Sequence, residues 1–421
     1  MPQQWLQELD QALDDQFARI VEVRRWLHAH PEPSGHEFHT SRYLAQLLAH
    51  DGFSLRQGPQ GRGLICEGGG GQQLTPLALR ADIDGLRIHD SKQVSYCSQN
   101  PGVMHACGHD AHAAIVYGTM SALRALEARH CLPWPIRYRV IFQPAEETCE
   151  GAQQMIAAGA LQDVSAILAL HVDPTLRVGQ IGLRRGVLTA NCDEMWITIR
   201  GRGGHAARPH EASDPIAAAA QLINALYLHI PRVTDSQEAV VVTIGQMQGG
   251  DNANVIPEEA QLRGTIRTLD RTVRGTTIDH VRRLAYGVGE TTLTKIQVDF
   301  RLGSHSVCND SRMIDVLHWS GVSALGTGAI HEISRPSMGS EDFAYYLEQV
   351  PGALMRLGSA SADRGTAALH TPYFDVDEAA LRVGARVLAR AVVRWFDPEF
   401  QQTANAPAGS VVPGSTGGST T

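Results

Sequence analysis

Apolar residues recur at helical spacing from Gln7 to Leu27, and the Pro31-Glu32-Pro33-Ser34-Gly35 stretch breaks the run. A second amphipathic pattern covers His39 to Ala49. Short β-like runs follow at Gly63 to Cys66, Leu74 to Ala81, Arg137 to Phe142 and Ser165 to Val172, with a long helical pattern from Asp110 to Ala128 among them. Strands alternating with helices predict an α/β layer on a mixed, largely parallel sheet. Gly68 to Gly71 lacks the spacing of either nucleotide-binding fingerprint and reads as a hairpin turn.

Near Leu188 the pattern restarts. Glu194 to Arg200 reads as a strand, Asp214 to His229 as a helix, and Ala239 to Met247 and Ala260 to Thr268 as strands. A helix over Arg274 to Gly287 and a strand over Lys295 to Phe300 complete a βαββαβ order, the size of a small α+β domain. The chain then returns to α/β signals and ends in a helix, Glu378 to Trp395. The expected organisation is one discontinuous domain, 1–187 with 301–400, carrying an inserted unit at 188–300. Residues 401–421, rich in Ser, Thr, Gly and Pro, read as a flexible tail.

Composition narrows the classes. Of 421 residues, 43% are hydrophobic and 19% charged, enough for a sizeable core. Lys plus Arg number 36 against 44 Asp plus Glu, and the net charge of −8 argues against nucleic acid as a partner. No apolar run approaches the roughly 18 residues of a membrane span, and Met1 to Asp15 carries no basic-then-apolar leader pattern, so a cytoplasmic protein is expected. Seven cysteines, an odd and scattered set, do not form a disulfide framework. The 19 histidines stand out, histidine being the commonest metal ligand.

Five chemically charged segments carry the functional signal, four of them where a strand pattern ends. They are Asp82-Ile83-Asp84, Met104 to His112, Gln143-Pro144-Ala145-Glu146-Glu147, His171, and Leu369-His370-Thr371-Pro372. In open α/β sheets the ligand crevice lies beyond the carboxyl ends of the strands, so these segments can converge. Cys, His and carboxylate form the ligand set of a first-row dication. Cys107 and His109, separated by one glycine, can aim at one ion. One glutamate of the pair 146–147 can bind metal while its neighbour serves as a base. Singly, each has a plainer reading: a lone Cys as a small buried hydrophobe, Glu-Glu as a solvated pair. A Schiff-base mechanism has only Lys92 and Lys295 to draw on, and no Gly-x-Ser-x-Gly elbow is present.

The segments Ala81 to Leu86, Gly102 to Asp110 and Phe142 to Glu147 resemble the N-acyl-amino-acid amidohydrolases. That group comprises hippurate hydrolases, bacterial aminoacylases and plant auxin-conjugate hydrolases, within the co-catalytic metallopeptidases. Gly203 to His210, Asn254 to Pro257, Gly264 to Arg267, Gly339 to Tyr345 and Leu369 to Phe374 extend the likeness, which covers roughly residues 20 to 396 in order. The resemblance implies a two-metal centre held by Cys107, His109, Glu147, His171 and His370, with Glu146 as general base. It makes the inserted unit a dimerisation or lid domain, with His205 reaching an active site across a homodimer interface and Asn254 and Arg267 binding substrate. Asp84 matches a ligand-orienting Asp, and Asp82 stands where the wider superfamily has a metal-binding His. Zinc is the expected metal, with manganese, cobalt or nickel as alternatives. Thr148-Cys149-Glu150-Gly151 and Ser304-His305-Ser306-Val307-Cys308 depart from the usual pattern and bear on substrate preference. The implied activity is hydrolysis of the amide bond of N-acyl amino acids. A dipeptidase, a carbamoyl-amino-acid hydrolase and a non-catalytic ligand-binding relative are the alternatives.

Overall fold

Continuous apolar runs such as Leu77-Ala78-Leu79 belong to strands buried on both faces, and alternating runs to strands with one wet face. The computed structural model, which describes residues 4–404, contains both kinds. Strands form over Ser54–Gln57 (β1), Leu64–Gly68 (β2), Leu77–Asp82 (β3), Tyr138–Gln143 (β4), Ala166–Arg177 (β5) and Ile181–Leu183 (β6). Gly186–Val187 (β7), Asn191–Arg200 (β8), Gly204–His205 (β9), Val240–Gly249 (β10), Val255–Ile256 (β11) and Glu259–Thr268 (β12) follow. Lys295–Leu302 (β13), Cys308–Asn309 (β14), Ile330–Glu332 (β15) and Gly352–Ala360 (β16) complete the set.

The large sheet has the order β1-β2-β4-β3-β5-β16-β6-β15. Its centre, β4-β3-β5-β16, is parallel, and β1, β2 and the β16–β6 pair supply the antiparallel part. Every residue of β3 and β4 is buried. Helices Gln4–Ala29, His109–Ala128 and Ala379–Trp395 pack on one face through a core that includes Leu13, Ile20, Ile115, Met120 and Leu388. They approach closely at Gly118, where a Cβ would lie 2.6 Å from Ile20 Cδ1. The opposite face is covered by Met155, Leu188, Val307, Phe343 and Tyr346.

The second sheet, β10-β12-β8-β13, is antiparallel throughout. Helices Pro215–Val233 and Arg271–Thr292 cover it over Met195, Ile197, Leu222, Leu262 and Val281. Asp214 and Asp270 cap these helices, each accepting two backbone N–H bonds of the first turn. Because β8 and β13 are neighbours, the chain joins and leaves this sheet at adjacent strands, and β13 runs two residues beyond 300.

Three expectations are corrected. Gly68 to Gly71 is no hairpin turn, since β4 lies between β2 and β3; Gly69, at φ 83°, passes where a Cβ would stand 2.3 Å from the Ile136 carbonyl. The strand after Ser165 does not stop near His171 but continues to Arg177. Residues 401–404 close a final helix, Pro398–Ala404, and the rest of the expected tail, 405–421, lies outside the described residues. Among the described residues no helix is long and apolar enough to cross a membrane.

Leu79 sits fully buried at the centre of β3. Leu79→Ala is expected to lower stability by about 2–5 kcal/mol through lost transfer energy and the cavity left behind. Leu302→Ala, at a side chain 62% exposed, should change it by less than about 0.5 kcal/mol. Denaturant midpoints of the two variants test the contrast.

Candidate metal centre

The parallel strands end on one side of the sheet, and the loops beyond them meet there. After β3 come Asp82, Ile83 and Asp84; after β4 comes the turn carrying Glu146 and Glu147. Gly108, at φ 89°, precedes the helix His109–Ala128, and a Cβ there would lie 2.4 Å from Val172 Cγ2. This left-handed step is open to glycine and turns Cys107 and His109 toward one centre. Cys107 Sγ stands 3.3 Å from His171 Nε2. Ligand atoms of Cys107, His109 and His171 lie within 4.8 Å of one another, as do those of Cys107, Glu147 and His370 and those of His109, Glu146 and Glu147. All the candidate ligands and the candidate base are therefore brought together.

The imidazoles are oriented from behind. His109 Nδ1 donates to the Asp84 carbonyl at 2.9 Å, with the Asp84 carboxylate at 3.1 Å, leaving Nε2 to face the centre. His171 Nδ1 donates to the Val172 carbonyl at 2.8 Å and likewise frees Nε2. His112, by contrast, is used up: Nδ1 donates to Asp82 at 2.6 Å and Nε2 accepts from Val172 N–H at 3.0 Å. Asp82 is also held by Arg80 Nη1 at 2.6 Å, so it works as a buried anchor beside the centre. Burial alone would raise its pKa, but His109, His112 and Arg80 hold it well below the carboxylate range.

The two glutamates occupy different surroundings. Ala145, at φ 53°, swings the turn so that both face His109. Glu147 Oε1 lies 3.8 Å from His109 Nε2 and 3.5 Å from His370 Nε2, between two candidate ligands. Glu146 is more deeply buried, its Oε2 3.9 Å from His109 Nε2 and its Oε1 3.5 Å from the Asp342 N–H. Burial, followed by the negative charges of Glu341, Glu147 and Asp342, pushes its pKa well above the usual range. His370, at φ 61°, is half exposed, at the mouth of the centre.

The donor set fits a pair of dications. His109 Nε2 and Glu147 Oε1 are both buried without a hydrogen-bond partner. Unsatisfied buried polar atoms are rare in native proteins, and two facing each other across 3.8 Å await a common cation.

Support residues that the sequence did not mark lie behind this centre. Arg80 donates to Asp82, Gln143, Glu341 and Asp342 at 2.6–2.9 Å. Asp342 also accepts from Gln143 Nε2 at 2.8 Å and from Ala152 N–H at 3.0 Å, bracketing the turn that carries the glutamates. Glu37 holds the same turn through Ala145 N–H at 2.8 Å. Gln143 and Glu341-Asp342 lay in segments with a visible signal, the Phe142 to Glu147 and Gly339 to Tyr345 matches; Arg80 and Glu37 did not.

The remaining candidates stand apart. His205 is exposed in β9, its Nδ1 accepting from Ala207 N–H, and Asn254 is exposed, its carbonyl accepting from Ala206 N–H. Arg267 in β12 donates to the Met338 carbonyl at 2.9 Å. Among the described residues no hydrogen bond or ion pair joins these three to the clustered ligands. Glu150 adds no free charge, being paired with Arg301 at 2.9 Å. Burial pushes the Cys149 thiol up to about 12, which makes it an inert wall.

Asp84 receives the His109 Nδ1–H, the Ser34 hydroxyl at 2.6 Å and the Glu147 N–H at 3.1 Å. Asp84→Ala is expected to weaken divalent-metal affinity about 10- to 100-fold, the usual effect of losing a ligand's hydrogen-bond partner. Chelator competition measures it, and unchanged affinity would remove Asp84 from the centre.

Comparison with known proteins places the chain among relatives of one family. N-acetylcysteine deacetylase of Bacillus subtilis is 37% identical over 376 residues, spanning 89% of this chain and 96% of its own. A second Bacillus subtilis protein, N-acetyl-L-cysteine deacetylase, is 34% identical over 383 residues, 90% of this chain and 88% of its own. The solved structure of the Bacillus subtilis YXEP protein, described as a dinuclear metal-binding peptidase of family M20, superposes with a TM-score of 0.78 at 34% identity. It matches 91% of this chain and 98% of that one. The sequence pattern of one family matches residues 78–394. The chain belongs to peptidase family M20/M25/M40.

Proposed function

We infer that this chain is a metal-dependent amidohydrolase that cleaves N-acyl amino acids to a carboxylic acid and a free amino acid. One observation carries the reading: the ligand atoms of Cys107, His109, Glu147, His171 and His370 form overlapping clusters, and the buried Glu146 adjoins two of them, His109 and Glu147. The deacetylase names of the two relatives support the substrate class. The dinuclear structural neighbour supports two divalent ions, held by those five side chains.

When bound, the ions supply Lewis-acid polarisation of the amide carbonyl and acidify a water. Glu146, raised in pKa by its buried setting, takes the proton of the attacking water and passes it to the leaving amine. Asp84 and the Val172 carbonyl keep His109 and His171 in the tautomer that presents Nε2. Zinc is the metal we favour for a thiolate-containing set.

His205, Asn254 and Arg267 act on substrate, with His205 reaching the centre of a second subunit and helping to hold the oxyanion. Its exposure and its separation from the ligands of its own chain support action in trans. The inserted unit, 188–300, is accordingly the dimerisation and lid domain of a twofold homodimer. Free thiols at all seven cysteines accord with the reducing cytoplasm.

Three outcomes test the reading. Glu146→Gln should retain metal while turnover of N-acetyl and N-benzoyl amino acids falls roughly 10²- to 10⁴-fold. Glu147→Gln should lose metal, with partial rescue by excess; the reverse pattern swaps the two roles, and unaltered hydrolysis in both moves the active site elsewhere. Mixing inactive Glu146→Gln chains with inactive His205→Ala chains should restore activity, since a hybrid dimer holds one intact site. Absence of recovery despite demonstrated subunit exchange would confine His205 to its own subunit or outside catalysis.

A further inference from the structure

Beside the metal centre lies a cavity of about 650 Å³, within the range of small-molecule sites. Val172 and Leu369 line it, and they adjoin the candidate ligands His171 and His370 in the chain. Beyond His171 the wall is the extension of β5, and across from it stands β16, where Arg356 pairs with His171. Paired residues of adjacent strands project to the same face, so Arg356 flanks His171 directly.

The cavity is electropositive. Arg356 and Arg335 both line it, with His331 nearby, against a single acid, Asp173. That acid is engaged locally: its Oδ1 accepts from Thr175 N–H at 2.9 Å and from Thr175 Oγ1 at 2.6 Å. Among the described residues neither guanidinium has a hydrogen-bonding or ion-pair partner, although Arg356 is partly buried. Buried arginines such as Arg24, Arg80, Arg139 and Arg274 are each met by a carboxylate. A guanidinium that lines a cavity with no acceptor from the protein itself presents its planar fork of donors to a carboxylate bidentately.

We propose that this cavity binds an anionic substituent of the substrate, a second carboxylate beyond the one common to N-acyl amino acids, with Arg356 as its main contact and Arg335 closing over it. The proposal rests on the amidohydrolase reading and names a substrate class within it. The carboxylate has two possible sources, a dicarboxylic acyl group or an acidic amino-acid side chain. The cavity's place against His171 sets how far from the cleaved bond that charge is carried.

The test uses metal-loaded, full-length Glu146→Gln protein, which holds substrate without turning it over. Calorimetry compares three probes: N-succinyl-L-leucine, N-acetyl-L-glutamate and the neutral N-butyryl-L-leucine. One of the two anionic probes should bind about tenfold more tightly than the neutral one, as expected for a charge-assisted contact. Which one it is identifies the source. Adding Arg356→Gln should abolish the advantage, and Arg335→Gln, on an exposed side chain, should reduce it with little risk to folding. Equal binding of all three probes, or an advantage that survives both arginine substitutions, overturns the proposal. Hydrolysis of the same three compounds by the unsubstituted protein is read separately. If none is cleaved, the amidohydrolase reading fails, and the binding ratio still decides whether the cavity selects an anion.

Discussion

The catalytic end of the large sheet is organised around one buried positive charge. Arg80 projects from β3 and meets Asp82 on its own strand, Gln143 at the end of β4 and the Glu341-Asp342 pair from a distant loop. A guanidinium enclosed in this way must be fully paired, because an uncompensated buried charge is strongly destabilising. Its five donors in a fixed fork therefore dictate where three chain segments end relative to one another. Those segments carry, or directly abut, Glu146 and Glu147. The arrangement still leaves an excess of carboxylates over cations, and it is this residual negative charge that a pair of dications is suited to neutralise.

The proposed division of labour between two adjacent glutamates follows from the same frame. Neighbouring residues in a turn point in different directions, so one carboxylate can face two imidazoles while the other faces a protein wall. Glu147 lies between His109 and His370, whereas Glu146 lies against the Asp342 backbone in a more acidic and drier setting. A base needs an elevated affinity for protons and a ligand needs geometric access to the ion. A single turn, bent at Ala145, meets both needs.

The elements with strong periodicity were legible in the chain: the helix His109–Ala128 begins one residue before its expected start, and the βαββαβ order of the second sheet emerges as read. The candidate ligand segments were legible because Cys, His and Glu beside strand patterns have few other uses in combination. What escaped notice was the scaffold. Arg80 sits inside an apolar run and looks like an edge substitution; Glu37 lies in a helix-entry segment with a pattern typical of solvated acids. Their roles depend on partners as distant in the chain as Asp342 from Arg80 and Ala145 from Glu37, and no local signal encodes such a pairing. The course of β5 past His171 was hidden for a related reason. Asp173 and Pro174 are poor strand formers, and the strand is carried past them by pairing with β16 on either side, at His171 to Asp173 and again at Arg177.

The position of β16 has a consequence for how the protein is made. This strand, Gly352–Ala360, lies in the interior of the sheet between β5 and β6, yet it is the last of the strands to be synthesised. Until it emerges from the ribosome, β5 lacks its partner along the largely apolar stretch Ile167 to Val172, the kind of edge that recruits other chains. Translation proceeds at about 5–20 residues per second, so the nascent chain spends on the order of ten seconds or more in that state after β5 has appeared. The N-terminal half thus carries an exposed sheet edge during its own translation. A chain truncated before Gly352 would leave the sheet divided down its middle, short of one edge for β5 and one for β6.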